Sequence, residues 1–253
     1  MADGIGAEIE RGAAGLGLEV TSVAAQRLER YAKLLLEWNE RMNLTAITEP
    51  VEVAVKHFVD SLSLLWVLDE GVESVADVGT GAGFPGLVVA IARPDLRVTL
   101  IDALGKRLTF LGAVIDALGI GNATLLHARA EEAGRRADLR EGFDVVTARA
   151  VAHLATLAEY CLPLARVGGE FVAMKARAVD EEVAIAGPAI ATLGGEVTTV
   201  LRFALPGGRE ERVLVRVSKL RPTPEAYPRR AGVPERRPIG GGTGATPWLR
   251  SED

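Results

Sequence analysis

The residues best suited to hold a ligand lie in one run, Asp77-Val78-Gly79-Thr80-Gly81-Ala82-Gly83-Phe84-Pro85-Gly86. Gly81, Gly83 and Gly86 keep the G-x-G-x-x-G spacing, which lets a chain turn tightly out of a strand and brings main-chain atoms against a ligand. Asp102 follows 21 residues after Gly81. A carboxylate at that place can accept both hydroxyl hydrogens of a ribose. A plain strand-turn-helix connection with packing glycines is the bland alternative, and four glycines with a correctly spaced acid argue against it. The pattern alone does not separate two ligands. A nicotinamide dinucleotide needs a helix N-terminus facing its pyrophosphate. S-adenosylmethionine has no phosphate and carries an ammonium group. Asp77, two residues before the first glycine, and the Gly79-x-Gly81-x-Gly83 run favour the second.

The elements that must position this turn are legible from periodicity. Ser74–Gly79, Arg97–Asp102, Ala123–His127, Phe143–Ala148 and Gly169–Lys175 read as strands, with helices between them near 86–92, 106–118, 129–137, 153–164 and 179–193. Five β-α units predict a doubly wound, Rossmann-like parallel sheet. Runs at 196–204 and 211–219, joined by Leu205-Pro-Gly-Gly-Arg209, predict a closing antiparallel hairpin. That hairpin, in place of a second parallel half, is a further point for S-adenosylmethionine. Ahead of the sheet, Ala24, Leu28, Tyr31, Leu35, Trp38 and Met42 form one apolar helical stripe behind an N-cap at Thr21 or Ser22. Residues 1–20, rich in glycine, alanine and acids, predict a frayed or weakly helical start. The expected division is an N-terminal helical cap at 1–70, the ligand-binding sheet domain at 71–220 and a basic Pro/Gly-rich tail at 221–253.

Composition narrows the function. The 253 residues carry a net charge of −5, so polyanion binding needs a local basic patch. Between Lys219 and Arg237, six basic residues face two acids. That segment is read either as a solvated tail or as an RNA-phosphate contact. One cysteine, Cys161, argues for a reducing compartment, and with three histidines it is too few for most zinc sites, so no metal is expected. No apolar run is long enough to cross a membrane and the N-terminus is no secretory signal, so a cytoplasmic chain with no membrane partner is expected. No heptad run demands a dimer, and a monomer is expected.

Several segments together resemble the bacterial glucose-inhibited division protein B family: Asn43-Leu-Thr-Ala46, His57-Phe-Val-Asp60-Ser61-Leu62, the glycine run, Leu104-Gly-Lys106-Arg107 with Phe110-Leu111, Arg129-Ala130-Glu131-Glu132, Ala148-Arg149-Ala150 and Tyr227-Pro-Arg229-Arg230-Ala-Gly232. The resemblance runs from about residue 28 to 239. It implies a class I methyltransferase that uses S-adenosylmethionine to methylate N7 of a guanine in 16S ribosomal RNA, acting on that RNA or on the small ribosomal subunit. It also implies cofactor contacts at Gly79, Phe84, Asp102, Ala103, Leu104, Ala130, Glu131 and Arg149, to which the glycine spacing adds Gly81 and Gly83. Ala148 stands where serine is expected, and Lys175-Ala176 where lysine-glycine is expected.

Guanine N7 carries a free lone pair, so methyl transfer to it needs no general base. The protein's task is alignment, and a cation can recognise O6. Arg149 and Lys175, at the ends of two strands, are the candidates for that catalytic role, with an ion pair at the sheet rim as the alternative for each. Arg229 and Arg230, with Lys106 and Arg107, are the candidate RNA contacts. His57 and Asp60 share a helix face and read as a structural or substrate-facing pair. Asn43 either caps a helix or reaches a flipped base. His127 reads as structural and Cys161 as buried and inert. Two other functions stay in view: an NAD-dependent oxidoreductase on the same glycine loop, and a non-catalytic RNA-binding module.

Overall fold

The computed structural model describes residues 4–149, 152–176, 179–207 and 210–240. Seven strands form one sheet in the order β3-β2-β1-β4-β5-β7-β6. They are β1 (Ser74–Val78), β2 (Arg97–Asp102), β3 (Ala123–His127), β4 (Phe143–Arg149), β5 (Ala165–Ala176), β6 (Gly195–Ala204) and β7 (Glu211–Lys219). Strands β1 to β5 pair in parallel, and β7 runs antiparallel between β5 and β6. The architecture is the expected one, a doubly wound sheet closed by a hairpin. Chain order reverses between β2-β1 and β1-β4, so a crevice opens at the carboxyl ends of these strands.

Strand β1 is buried along its whole length. Val75 belongs to the core on one face and Ala76 to the core on the other, as alternation in a doubly covered strand requires. The first face is covered by α1 (Ile5–Gly15), α2 (Ser22–Met42), α5 (Gly86–Ala92) and α6 (Gly105–Leu118). Helices α7 (Ala130–Ala133), α8 (Leu154–Cys161) and α9 (Asp180–Thr192) cover the second. Between α2 and β1 the chain is helical in four short pieces. These are α3 (Pro50–Val53), a π-helical turn (Ala54–Val59), α4 (Asp60–Leu62) and a 3₁₀ turn (Ser63–Val67).

Thr21 caps α2 by accepting the Ala24 amide at 3.2 Å. Asn43 ends that helix in the left-handed conformation, φ 48°. Its side chain is not what holds the following loop. Asn39 does this, its Oδ1 accepting the amides of Leu44 and Thr45 at 2.7 and 2.9 Å.

Two segments depart from expectation. Residues 5–15 form a full helix rather than a frayed start, with Ile5, Ile9 and Ala13 buried. A Cβ on Gly12 would stand 2.5 Å from Val59 Cγ2. The glycine and alanine content there serves close packing of α1 on the π-helical turn. Residues 220–240 are not free either. Thr223, Pro228 and Pro234 are buried, and α10 (Val233–Arg236) packs on α8. The remainder of the tail, 241–253, lies outside the described residues.

Candidate functional site

The turn after β1 is held from three sides. The amides of Gly79 and Thr80 donate to the Ile101 carbonyl at 2.9 and 3.1 Å. Asp77 Oδ2 accepts the Thr80 hydroxyl at 2.6 Å and the Gly86 amide at 2.8 Å. Asp102 Oδ2 accepts the Gly81 amide at 2.9 Å. The glycines then serve different ends. Gly81 has φ +62°, and a Cβ there would meet only the Gly79 carbonyl oxygen, 3.9 Å away. Its open side faces the crevice. A Cβ on Gly83 would strike the Tyr31 hydroxyl and Leu111, and one on Gly86 would strike Leu100 and Asp77. Those two glycines allow packing.

The crevice is a cavity of about 500 Å³, the size of a small-molecule site. Gly79, Gly81, Phe84, Asp102, Ala103, Leu104, Ala130, Glu131, Arg149 and Arg107 line it. Gly83, Lys175, Lys106, Arg229 and Arg230 are not among the lining residues. For Gly83 the reason is its contact with Tyr31. The Lys175 ammonium is held by Glu182 Oε1 at 2.6 Å and the Ala152 carbonyl at 2.8 Å, the ion pair at the sheet rim. Arg229 pairs with Glu159, which is fully buried, at 2.6 Å. Lys106 and Arg230 are exposed.

One half of the cavity is acidic. Asp102, 3% exposed, accepts from Gly81 N, from Leu104 N at 2.8 Å and from Arg107 Nη1 at 3.3 Å. A carboxylate has about four acceptor sites. Asp102 therefore has about one to offer unless Arg107 gives way, and it does not serve both ribose hydroxyls unaided. Glu131, also buried, is the second acid, and it accepts the Gly232 amide at 2.8 Å. The lining fits an adenosine-bearing cofactor: Gly81 leaves the approach open, and two carboxylates offer acceptors for hydroxyl or amino hydrogens. His127, read as structural, bonds the Ala103 carbonyl at 3.0 Å and so pins this wall.

The other half comes from the N-terminal helices. Leu44, Thr45, His57, Phe84 and Arg149 meet there. His57 lies in the π-helical turn, a distortion found at many functional sites. Its ring stacks on Phe84 at 4.8 Å, and the Tyr31 ring also stacks on Phe84 at 5.5 Å. Thr45 Oγ1 is 2.7 Å from His57 Nε2. Burial, and then the nearby Arg149 charge, lower the His57 pKa to about 4, so the ring is neutral at pH 7. Arg149 lies over the Phe84 ring at 5.1 Å and donates from Nη1 to Asp60 at 3.0 Å and to the Lys56 carbonyl at 3.1 Å. Asp60 is thus an anchor for Arg149, with Arg212 also 3.5 Å from it. Burial raises the Asp60 pKa against the pull of both guanidiniums. Burial also pushes Asp77 up to about 6, and its Oδ1 has no hydrogen-bond partner.

Cys161 is buried, and burial raises its thiol pKa. Among the described residues no group of three or more His, Cys, Asp or Glu could hold a metal, and no helix is long and apolar enough to cross a membrane. Sequence reasoning did not find Tyr160, Gly232 or Glu235, which also line the cavity. Nothing local to those residues marks them. Tyr160 lies on α8 itself, and Gly232 and Glu235 arrive because residues 220–240 fold back over that helix.

A family model described as GidB, rRNA small subunit methyltransferase G, matches residues 24–212. A ribosomal RNA small subunit methyltransferase G from Exiguobacterium sp. (strain ATCC BAA-1283 / AT1b) is 53% identical over 224 residues, 88% of this chain and 94% of that protein. One from Lactobacillus delbrueckii subsp. bulgaricus is 50% identical over 225 residues, 87% of this chain and 94% of its own. Among solved structures, TrmN from Thermus thermophilus aligns with a TM-score of 0.51 at 24% identity, over 64% of this chain and 48% of that one. A 16S rRNA (adenine(1408)-N(1))-methyltransferase from Catenulisporales acidiphilia aligns at 0.50 and 21%, over 65% and 92%. These two likenesses concern the fold.

Proposed function

The chain belongs to the rRNA small subunit methyltransferase G family, and from that premise we propose that it moves the methyl group of S-adenosylmethionine to N7 of a guanine in 16S ribosomal RNA. The protein is an S-adenosylmethionine-dependent rRNA methyltransferase. Its family leaves no support for the oxidoreductase or the non-catalytic module. The observation that carries the finer reading is the two-part cavity, with an acid-lined half at the glycine turn and a half built from Leu44, Thr45, His57 and Arg149.

S-adenosylmethionine, when bound, supplies an electrophilic methyl group on a sulfonium. The residues of this chain bind and orient. Asp102 and Glu131 accept hydrogens from the sugar and base of the cofactor, while Gly81 lets it lie against the main chain. His57 stays neutral and adds no cation beside the sulfonium. Arg149, fixed through Nη1 by Asp60, keeps its other N–H groups to meet guanine O6, which leaves N7 free to attack. Lys175 is too fully engaged with Glu182 to share that role. The exposed cations Lys106, Arg230, Arg236 and Arg237, with Arg107 at the cavity edge, supply phosphate contacts. The reading includes the small ribosomal subunit as the form of RNA engaged, in the cytoplasm where subunits are made. It also includes action as a monomer, since one chain lines the whole cavity.

Calorimetric titration with S-adenosylmethionine and with NAD tests the cofactor half. Binding of the first alone is expected, and binding of NAD instead would overturn the reading. For the base half, Arg149→Gln is expected to lower methyl transfer by about 10²-fold at saturating cofactor, the scale of one lost polar contact at a reacting group. Unchanged transfer would remove Arg149 from the reaction.

A further inference from the structure

Residues 220–240 climb the α8 face of the sheet in three anchored steps. At the lower end, Arg140 donates to the carbonyls of Thr223 at 2.7 Å and Tyr227 at 2.8 Å. Midway, Glu159 takes four hydrogen bonds from Arg229: one from the amide at 2.7 Å and three from the guanidinium at 2.6, 2.9 and 3.1 Å. Glu159 is 0% exposed. A carboxylate taken that far from water is tolerated only with a full set of partners, and Arg229 supplies them. At the top, Gly232 adopts φ +75° and turns its amide onto Glu131. Gly232, Glu235 and Tyr160, the neighbour of Glu159, all reach the cavity.

The Tyr227–Gly232 motif is therefore built around a buried carboxylate and ends on a cofactor-facing one. We propose that Arg229 and Glu159 are positioning residues for the cofactor: their ion pair seats residues 220–240 so that the Gly232 amide holds Glu131 at the cavity wall. This rests on the cofactor assignment above. It moves Arg229 from the RNA surface to the support of the cavity, and it makes cofactor affinity depend on a segment outside the sheet. Coupling runs both ways, so a bound cofactor must also tighten the segment.

Two measurements on the full chain test this, with S-adenosylmethionine as the probe. In the first, calorimetry compares wild type with Arg229→Ala. The expected result is a Kd raised about ten-fold, within the usual range of coupling between sites. The cofactor KM should rise likewise, with kcat at saturating cofactor held within about two-fold. Equal Kd in the two folded proteins overturns the proposal and leaves the cofactor reading intact. Absence of binding by wild type overturns both. The second needs no variant and stands if Arg229→Ala does not fold. Hydrogen exchange of the amides from 229 to 236 in wild type should slow when S-adenosylmethionine is added. Exchange unchanged at saturation overturns the proposal.

Discussion

Gly81 and Gly83 stand two residues apart and face opposite surroundings. Gly81 opens on the cavity, while Gly83 is closed in by Tyr31 and Leu111. Gly81→Val, strained at φ +62° but meeting no packed neighbour, is therefore expected to abolish cofactor binding with circular dichroism near wild type. Gly83→Val should instead unfold at lower urea, by the roughly 1–3 kcal/mol typical of an overpacked core or more. Cofactor binding kept by Gly81→Val would mean that the turn does not approach the ligand. Asp102→Ala removes the proposed cofactor acceptor and the clamp on Gly81 and Leu104 together, so calorimetry should show affinity weakened by ~1.5–3 kcal/mol. His57 and Asp77 carry the pH dependence. His57 titrates near 4 in the folded protein against 6.5 in the unfolded chain. Between those values the unfolded chain binds more protons, so this group's contribution to stability is lost as pH falls from 6.5 to 4. Asp77, at about 6 against 3.8, works in the opposite sense, because there the folded chain binds the extra proton. His57→Gln deletes only the first effect. Urea unfolding should show the variant gaining about 2–3 kcal/mol on wild type between pH 7.5 and 4.5. No relative gain would mean that His57 is not held neutral.

At the scale of elements, the glycine turn is braced by α2. The Tyr31 hydroxyl donates to the Ala82 carbonyl, and its ring stacks on Phe84. Tyr31→Phe keeps the stack and removes the bond. It should lower stability in urea by roughly 1–3 kcal/mol, the cost of a buried acceptor left unpaired. Unchanged stability would show that this hydrogen bond does not brace the turn. The strands, the α2 stripe, the glycine turn and Asp102 were legible because each depends on local period and spacing. Ends of β2, β3 and β7 fell at the expected residues. Helix α1 was not legible, because close approach and fraying call for the same small residues. The seating of 220–240 was not legible either. Its partners Arg140, Glu159 and Glu131 are 70 to 101 residues away in the chain, and a Pro/Arg-rich segment looks alike whether docked or solvated. His57 was readable as a candidate, but its stacking and its neutrality depend on Phe84 and Arg149, which only the fold brings to it.

The whole molecule carries net charge −5 and acts on a polyanion, so its RNA face must be local. With Arg229 turned inward, the proposed RNA face is Arg230, Arg236, Arg237, Lys106 and Arg107. Arg230→Ala should reduce the salt dependence of RNA binding by about one unit or slightly less and leave cofactor affinity unchanged. An unaltered slope would place the RNA elsewhere. The proposed reaction is one transfer from one cofactor to one atom of the RNA. It is tested most directly by incubating the protein with unmodified small ribosomal subunits and S-adenosylmethionine isotopically labelled on the methyl group, then identifying the labelled nucleoside by mass spectrometry. Label is expected in 7-methylguanosine alone, absent with Gly81→Val. Label in any other nucleoside, or none from a protein that binds the cofactor and the subunit, would contradict it.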